Sequence, residues 1–565
     1  MDVMQSRRGV ILVVVTVVIV ILTLAVFTFS KFMMAQRKGA NTTLRQTQAR
    51  LLTESGIDYL RVLLFMDQDT ILTLGGLYDN PDEFRGHIVT DGSISLSGLD
   101  AGTQNTTGNV DPRDVGRFSV VAPALSEDGL LTGDYIRYGL EDESTKINLH
   151  WILAADLEQP GAGRMILMRL PGINEEIADA LLDWIDDSSY EPREYGAKDE
   201  YYTMLDPPYY TRNGMIDSLD ELLLVRGVTP KLLYGIDWNR NGIVDPGEPS
   251  EYSLDEYDVL DGSLNLGLVS YLTLDSRESM LTPDKLYYKI NVNMEDMSEL
   301  QELLEERFED YPGYATAILS YRQQLAQAAQ NPGGVNPGSA NMGSIVSSML
   351  TGGGIGLANA DGKVKSLAEF IGLQGSPFVD DPDEIHLWGP VLWDNLTISD
   401  TPIVGRININ QASRTVMELF TAQEDELTDA ALLMGDAADM LGGTSFSQMD
   451  MYDIIEDILA YRISDPYQIA MEAPEMNYPF WVYTYGIVTD LAVFKQLEPY
   501  FCTQGAVYKA TVIGRFDEKS PVSRMEVWLD AAEGEKLPKI IRIRDISDLG
   551  PGYSAELLGA DPYVR

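Results

Sequence analysis

The first thirty residues constrain this chain more than any other stretch. Arg7-Arg8-Gly9 leads into an apolar run from Val10 to Phe29, interrupted by Thr16, Thr23 and Thr28 and by no charge. Twenty residues at a helical rise of about 1.5 Å span about 30 Å, the hydrocarbon thickness of a bilayer. A cleaved secretory signal has a shorter apolar core and a small-residue exit. Here the run ends in Phe27-Thr28-Phe29-Ser30-Lys31-Phe32, which predicts a membrane helix that is kept. The flanking charges conflict over its orientation. Arg7 and Arg8 precede the run, whereas Lys31, Arg37, Lys38, Arg45 and Arg50 follow it. That count opposes an exported body, while the short leading tail favours one.

The remainder of the 565 residues suffices for roughly three to four domains. With 41 basic against 87 acidic side chains the formal charge is −46, which repels nucleic acid. It suits a solvated extracytoplasmic body and offers oxygen ligands to hard cations. A hydrophobic content of 45% argues against disorder. Cys502 is the sole cysteine, so no intrachain disulfide can form.

Residues Leu44 to Met66 continue the helical pattern, with Leu52, Tyr59, Leu60 and Leu63 on one stripe. A turn-rich stretch runs from Asp79-Asn80-Pro81 to Asp111-Pro112, and strands are expected at Phe118–Ala122 and Tyr135–Gly139. The middle, about 150–325, reads as helices with acidic loops. Residues 330–362 are rich in Gly, Ser, Asn and Ala, the composition of a linker. Strands return at Ala506–Ile513, Arg524–Leu529 and Lys539–Ile543.

One motif occurs three times: Lys146-Ile-Asn-Leu-His150, Lys289-Ile-Asn-Val-Asn293 and Arg406-Ile-Asn-Ile-Asn410. Each precedes helical sequence: Leu170-Pro-Gly-Ile173 before Ala180–Trp184, Tyr311-Pro-Gly-Tyr314 before Ile318–Arg322, and Ile454 to Arg462. Two apolar helices joined at a Pro-Gly turn make a helix-hairpin-helix-like unit. The recurrent Asn suits a capping or turn role. Such units elsewhere grip DNA, but Ile173–Glu176 and Phe308–Asp310 are acidic, so repeated packing units are the expectation and no nucleic acid is.

The sharpest local motif is Asp237-Trp-Asn239-Arg-Asn241-Gly242-Ile243-Val-Asp245-Pro-Gly-Glu248. It fills a twelve-residue calcium loop: Asp237, Asn239 and Asn241 at positions one, three and five, the Ile243 carbonyl at seven, Asp245 at nine and a bidentate Glu248 at twelve. Calcium with a stabilising role is therefore expected. A second acidic cluster comprises Asp183, Asp186, Asp187, Glu191 and Asp199. A solvated face and a second metal site both fit it. His87, His150 and His386 lie far apart, and no nucleophile elbow or phosphate-loop lysine occurs. No enzyme is expected.

Together these blocks resemble the minor pseudopilin K family of the type II (general) secretion pathway. The resemblance rests on Arg7-Arg8-Gly9-Val10, the Lys-Ile-Asn repeats, Ala180–Asp186, and Asp206-Pro-Pro-Tyr209 followed by Ser218–Thr229. It implies an α+β, pilin-like fold: a long N-terminal helix on a small antiparallel sheet, with a large helical domain inserted. The implied division is a leader 1–9, a transmembrane and assembly helix 10–30, and a pilin-like helix with first strands 31–145. A helical domain with the calcium loop would span 146–327, a third helical repeat 401–500 and C-terminal strands 501–565, while residues 328–400 read as a Gly-rich insertion to which the resemblance does not extend. It also implies cleavage after Gly9 by the prepilin peptidase, leaving a methylated Val10, and a body in the periplasm. Implied partners are the minor pseudopilins I and J, with the major pseudopilin and the secretin.

Typical pilins carry Glu at the fifth mature position, where this chain has Val14. That Glu is thought to meet the N-terminal amine of the preceding subunit, and a carboxylate in the bilayer is costly without a partner. Val14 therefore fits a subunit with none ahead of it, at the fibre tip. A membrane-anchored calcium-stabilised binding protein unrelated to pili, or an acidic hydrolase, would share the composition.

Overall fold

A single helix, α1 (Val3–Phe65), runs 63 residues without a break in the computed structural model, about 95 Å at the standard rise. The structure describes residues 3–90, 93–94, 115–125, 131–235, 237, 240, 267–330, 362–420, 448–517, 519–534 and 537–559. After α1 come α2 (Gln68–Thr73), α3 (Pro81–Phe84), β1 (His87–Thr90), β2 (Ser93–Ile94), β3 (Arg117–Leu125), β4 (Leu131–Arg137) and β5 (Glu141–Asp142). The repeats carry β6 (Ile147–Asn148), β7 (Leu272–Thr273), β8 (Ile290–Asn291), β9 (Leu396–Thr397), β10 (Ile407–Asn408) and β11 (Phe501–Cys502). The chain closes with β12 (Val507–Arg515), β13 (Ser523–Asp530) and β14 (Lys539–Asp545).

The large sheet has the order β14-β13-β12-β3-β1-β2, with β4 beside β3 and β5 beside β12. Its pairings are all antiparallel, with Val512 opposite both Val120 and Met525. Side chains alternate across a strand, so Tyr508, Ala510 and Val512 turn to one face and pack with Ile57, Leu60 and Leu64 of α1. Ile513 turns to the other face, where Val121, Tyr553 and Leu558 cover it. Two glycines set the helix–sheet distance. A Cβ on Gly514 would lie 2.3 Å from the Ala49 carbonyl, and one on Gly56 would lie 2.7 Å from Val512.

Between β5 and β12 the chain makes three repeats, each opening and closing on a two-residue strand. β6 pairs with β7, β8 with β9 and β10 with β11, all parallel. The recurrent Asn performs the same two tasks each time. Its Oδ1 accepts a backbone amide two residues on: His150 at 2.9 Å from Asn148, Asn293 at 2.8 Å from Asn291, Asn410 at 3.1 Å from Asn408. Its Nδ2 reaches outward, to the Leu274 carbonyl, to Asp400 and to Asp142 respectively. The first repeat carries α4 (Leu149–Glu158), α5 (Ala162–Met168), α6 (Glu175–Ile185), α7 (Asp199–Tyr202) and α8 (Pro230–Tyr234). The second carries α9 (Met297–Arg307), α10 (Pro312–Gln330) and the helix Pro382–Asn395, and the third carries the helix Gln448–Tyr461 and shorter ones. One apolar core runs through all three, from Ile147 to Phe501.

Three expectations differ from what is observed. The turn-rich stretch after Asp79 holds α3, capped by the Asn80 side chain, and the paired strand β1. The strand expected to reach Gly139 ends at Arg137, because the backbone there crosses residues 77–78 so closely that a Cβ on Gly139 would lie 2.2 Å from the Tyr78 carbonyl. Residues 362–400, expected to fall inside a glycine-rich insertion, belong to the second repeat. Phe370, Phe378, Trp388 and Leu392 are in its core, and β9 closes it. The linker-like composition of 331–361 lies outside the described residues.

Candidate functional site

Gly9, Val10 and Val14 all lie within α1. From Leu12 to Phe29 the helix is exposed, and it is the described helix long and apolar enough to cross a membrane. The threonines do not spoil that surface. Thr16, Thr23 and Thr28 each donate to a carbonyl one turn back, at 2.9 Å, so no hydroxyl needs a partner from outside. Val14 presents an isopropyl group where a carboxylate would need one.

The second acidic cluster is brought together in part, around a guanidinium. Arg193 donates to Asp183 at 2.8 Å and to Asp156 at 2.9 Å, and its charge lies 3.1 Å from Asp186. Burial works against that charge, yet Asp156 and Asp183 raise Arg193 above its ordinary pKa. Ser188 bonds Asp186 through its amide at 2.8 Å and its hydroxyl at 2.6 Å, and Lys198 donates to the Asp186 carbonyl. Gly196 makes room: a Cβ there would lie 1.8 Å from the Asp183 carboxylate. Asp187 and Glu191 point to solvent, while Asp199 accepts from the Thr211 amide at 2.8 Å instead. Among the described residues no group of three or more His, Cys, Asp or Glu side chains is arranged to hold a metal ion. The reason is local, since Arg193 occupies the centre that a cation would take.

Of the expected calcium ligands, Asp237 alone is described; Asn239, Asn241, Ile243, Asp245 and Glu248 lie outside the described residues. Asp237 is buried, and its carbonyl accepts from the amide of Arg240, which sits at φ 55° in the left-handed region. The Arg240 carbonyl accepts from the buried Arg524 of β13 at 2.8 Å. This loop therefore begins at the joint between the first repeat and the sheet. The Asp237 carboxylate and the buried Arg524 guanidinium attract each other through space.

The same joint holds charged side chains that sequence reasoning passed over. Glu141 lies 3.3 Å from Lys146 and 3.4 Å from Lys509, and Glu143 lies 2.9 Å from Lys146. Burial alone would raise Glu141, but Lys146 and Lys509 outweigh it and hold the carboxyl at about 2. Asp142 accepts from Gly505 at 2.7 Å, Ser144 at 2.8 Å and Asn408 at 2.9 Å. These contacts tie the sheet to the first and third repeats. The three histidines lie apart: His87 stacks 4.9 Å from Phe118 beside Tyr59, His386 lies 6.3 Å from Phe480, and His150 and His386 are on separate repeats.

Residues 145–236 match the family model described as type II secretion system, protein K. That span contains the first repeat's opening strand, α4 to α8 and the Arg193 cluster, and it ends one residue before Asp237. A type II secretion system protein K of Aeromonas hydrophila is 46% identical over 57 residues. The alignment covers 10% of this chain and 17% of that protein. No solved structure matches the chain.

Proposed function

We propose, for a chain whose residues 145–236 match the type II secretion system protein K family model, a role as a pseudopilin of that system, mechanical and not catalytic. One observation carries the reading. From Leu12 to Phe29 α1 is exposed and apolar, and from Ala49 to Leu64 one face of it is buried on an antiparallel sheet, as a subunit that leaves a membrane to join a fibre requires. The fold is pilin-like in this sense, with the three repeats inserted between β5 and β12. The helix pairs α5–α6 and α9–α10 act as helix-hairpin-helix-like packing units within that insertion.

In this reading the prepilin peptidase cleaves after Gly9, Val10 becomes the methylated N-terminus, and the body stands in the periplasm. Val14 supports a place at the tip, where no preceding amine awaits a carboxylate. The repeats add bulk that a tip accommodates more easily than a packed shaft. Assembly begins with the minor pseudopilins I and J, whose helices pack against Val10 to Phe29, and proceeds on the major pseudopilin towards the secretin. Calcium in the loop Asp237 to Glu248, held by Asp237, Asn239, Asn241, the Ile243 carbonyl, Asp245 and Glu248, would neutralise acidic oxygens at the joint between repeat and sheet.

The test is complementation. A host strain lacking this chain should lose type II export and regain it with the intact chain, but not with Gly9→Leu, which blocks processing. Full export with Gly9→Leu would contradict the proposal.

A further inference from the structure

Lys146, Lys289 and Arg406 hold the same place in the three repeats, one residue before each opening strand. Two of these cations are neutralised inside the fold. Lys146 pairs with Glu141 and Glu143, and Arg406 lies 3.3 Å from Glu278 and 3.6 Å from Glu498. Lys289 breaks the pattern. Its backbone amide donates to the Met280 carbonyl, but among the described residues its half-buried ammonium has neither a hydrogen bond nor an ion pair. Glu278 and Asp394 act on it only through space, and burial lowers its pKa, the reverse of Lys146 and Arg406.

Lys289 lines a cleft of about 550 Å³ between the end of α1, the second and third repeats and the sheet. That volume falls within the range of small-ligand sites. Leu64, Ile71, Leu281 and Ala531 give it apolar walls, while Trp393 and Tyr478 lie beside Asp394. Arg406 lines it too, and its buried Nε lacks a hydrogen-bond partner. Arg406 and Lys285 meet partners within the fold, at Glu278 and at the Leu64 carbonyl, so among the described residues Lys289 is the cation at this cleft left to an acceptor from outside. The neighbouring Glu278 and Asp394 act on Lys289 through space and oppose a dianion, so the acceptor that meets Lys289 carries a single negative charge.

We propose that this cleft binds a monocarboxylate with a small apolar body, the chemistry of a peptide's free C-terminus, with Lys289 holding the carboxylate. The proposal does not depend on the secretion role. The experiment is ligand-observed saturation-transfer NMR on the full chain in detergent micelles. The probe is N-acetyl-alanyl-leucine, set against its C-terminal amide and against inorganic phosphate. The acid should bind roughly tenfold or more tightly than the amide, the worth of one charge-assisted hydrogen bond. Lys289→Met should erase that preference and Lys289→Arg should keep it. Equal binding of acid and amide, binding of neither, or displacement of the acid by equimolar phosphate would overturn the proposal. So would an acid preference that survives in Lys289→Met. The comparison on the unaltered chain decides the point even where a variant fails to fold.

Discussion

Arg193 is the residue on which the first repeat most depends. Its guanidinium meets three carboxylates, and Asp183 is fully buried. Removing one partner of a buried pair leaves uncompensated charge at a cost of about 3 to 5 kcal/mol. Arg193→Met should therefore lower the urea midpoint by the equivalent of about 3 kcal/mol, and an unchanged midpoint would refute the assignment. Glu141 gives a pH-resolved counterpart. Its folded pKa is about 2, below its ordinary 4.5, so the folded state binds the proton less readily than the unfolded chain. The stability it contributes is complete above about 4.5 and is lost as the pH falls through about 2. At neutral pH the chain should exceed Glu141→Gln by about 3 kcal/mol, each 1.36 kcal/mol per unit. That gap should close on acidification across this window in parallel thermal melts.

At the scale of elements, the contact of α1 with the sheet is set by backbone proximity. A side chain on Gly514 would strike the Ala49 carbonyl and the Thr53 amide, neither of which can yield without moving the helix. Gly514→Val should cost about 2 kcal/mol or more, read as a lower melting temperature. The long elements were legible in sequence. An apolar run followed by a Leu-Tyr-Leu stripe announced α1, and the β-branched stretches near residues 120, 510 and 527 announced the sheet. The Lys/Arg-Ile-Asn motif marked the repeats, but its partners Leu272-Thr273, Leu396-Thr397 and Phe501-Cys502 are two residues long and have no period to read. Composition suggested an insertion from 328, yet Phe370, Phe378 and Trp388 are core residues, a fact that only their packing reveals. The acidic cluster was visible as a group. Its counter-ion was not, because Arg193 reaches Asp156 across 37 positions of sequence.

For the whole molecule, a charge of −46 in a folded body is self-repulsion that ions relieve. Calcium in the Asp237 loop would act at one place and salt everywhere. Chelator should therefore lower the melting temperature of the intact chain by several degrees, and of Asp237→Asn hardly at all, while monovalent salt should raise both. An equal response of the two chains to chelator would contradict calcium at that loop.

The central claim is that α1 is a processed assembly helix and not merely an anchor. It is tested most directly by sequencing the N-terminus of the chain recovered from membranes of cells that contain the prepilin peptidase. The account predicts a start at a methylated Val10, and a start at Met1 or at any other residue would contradict it.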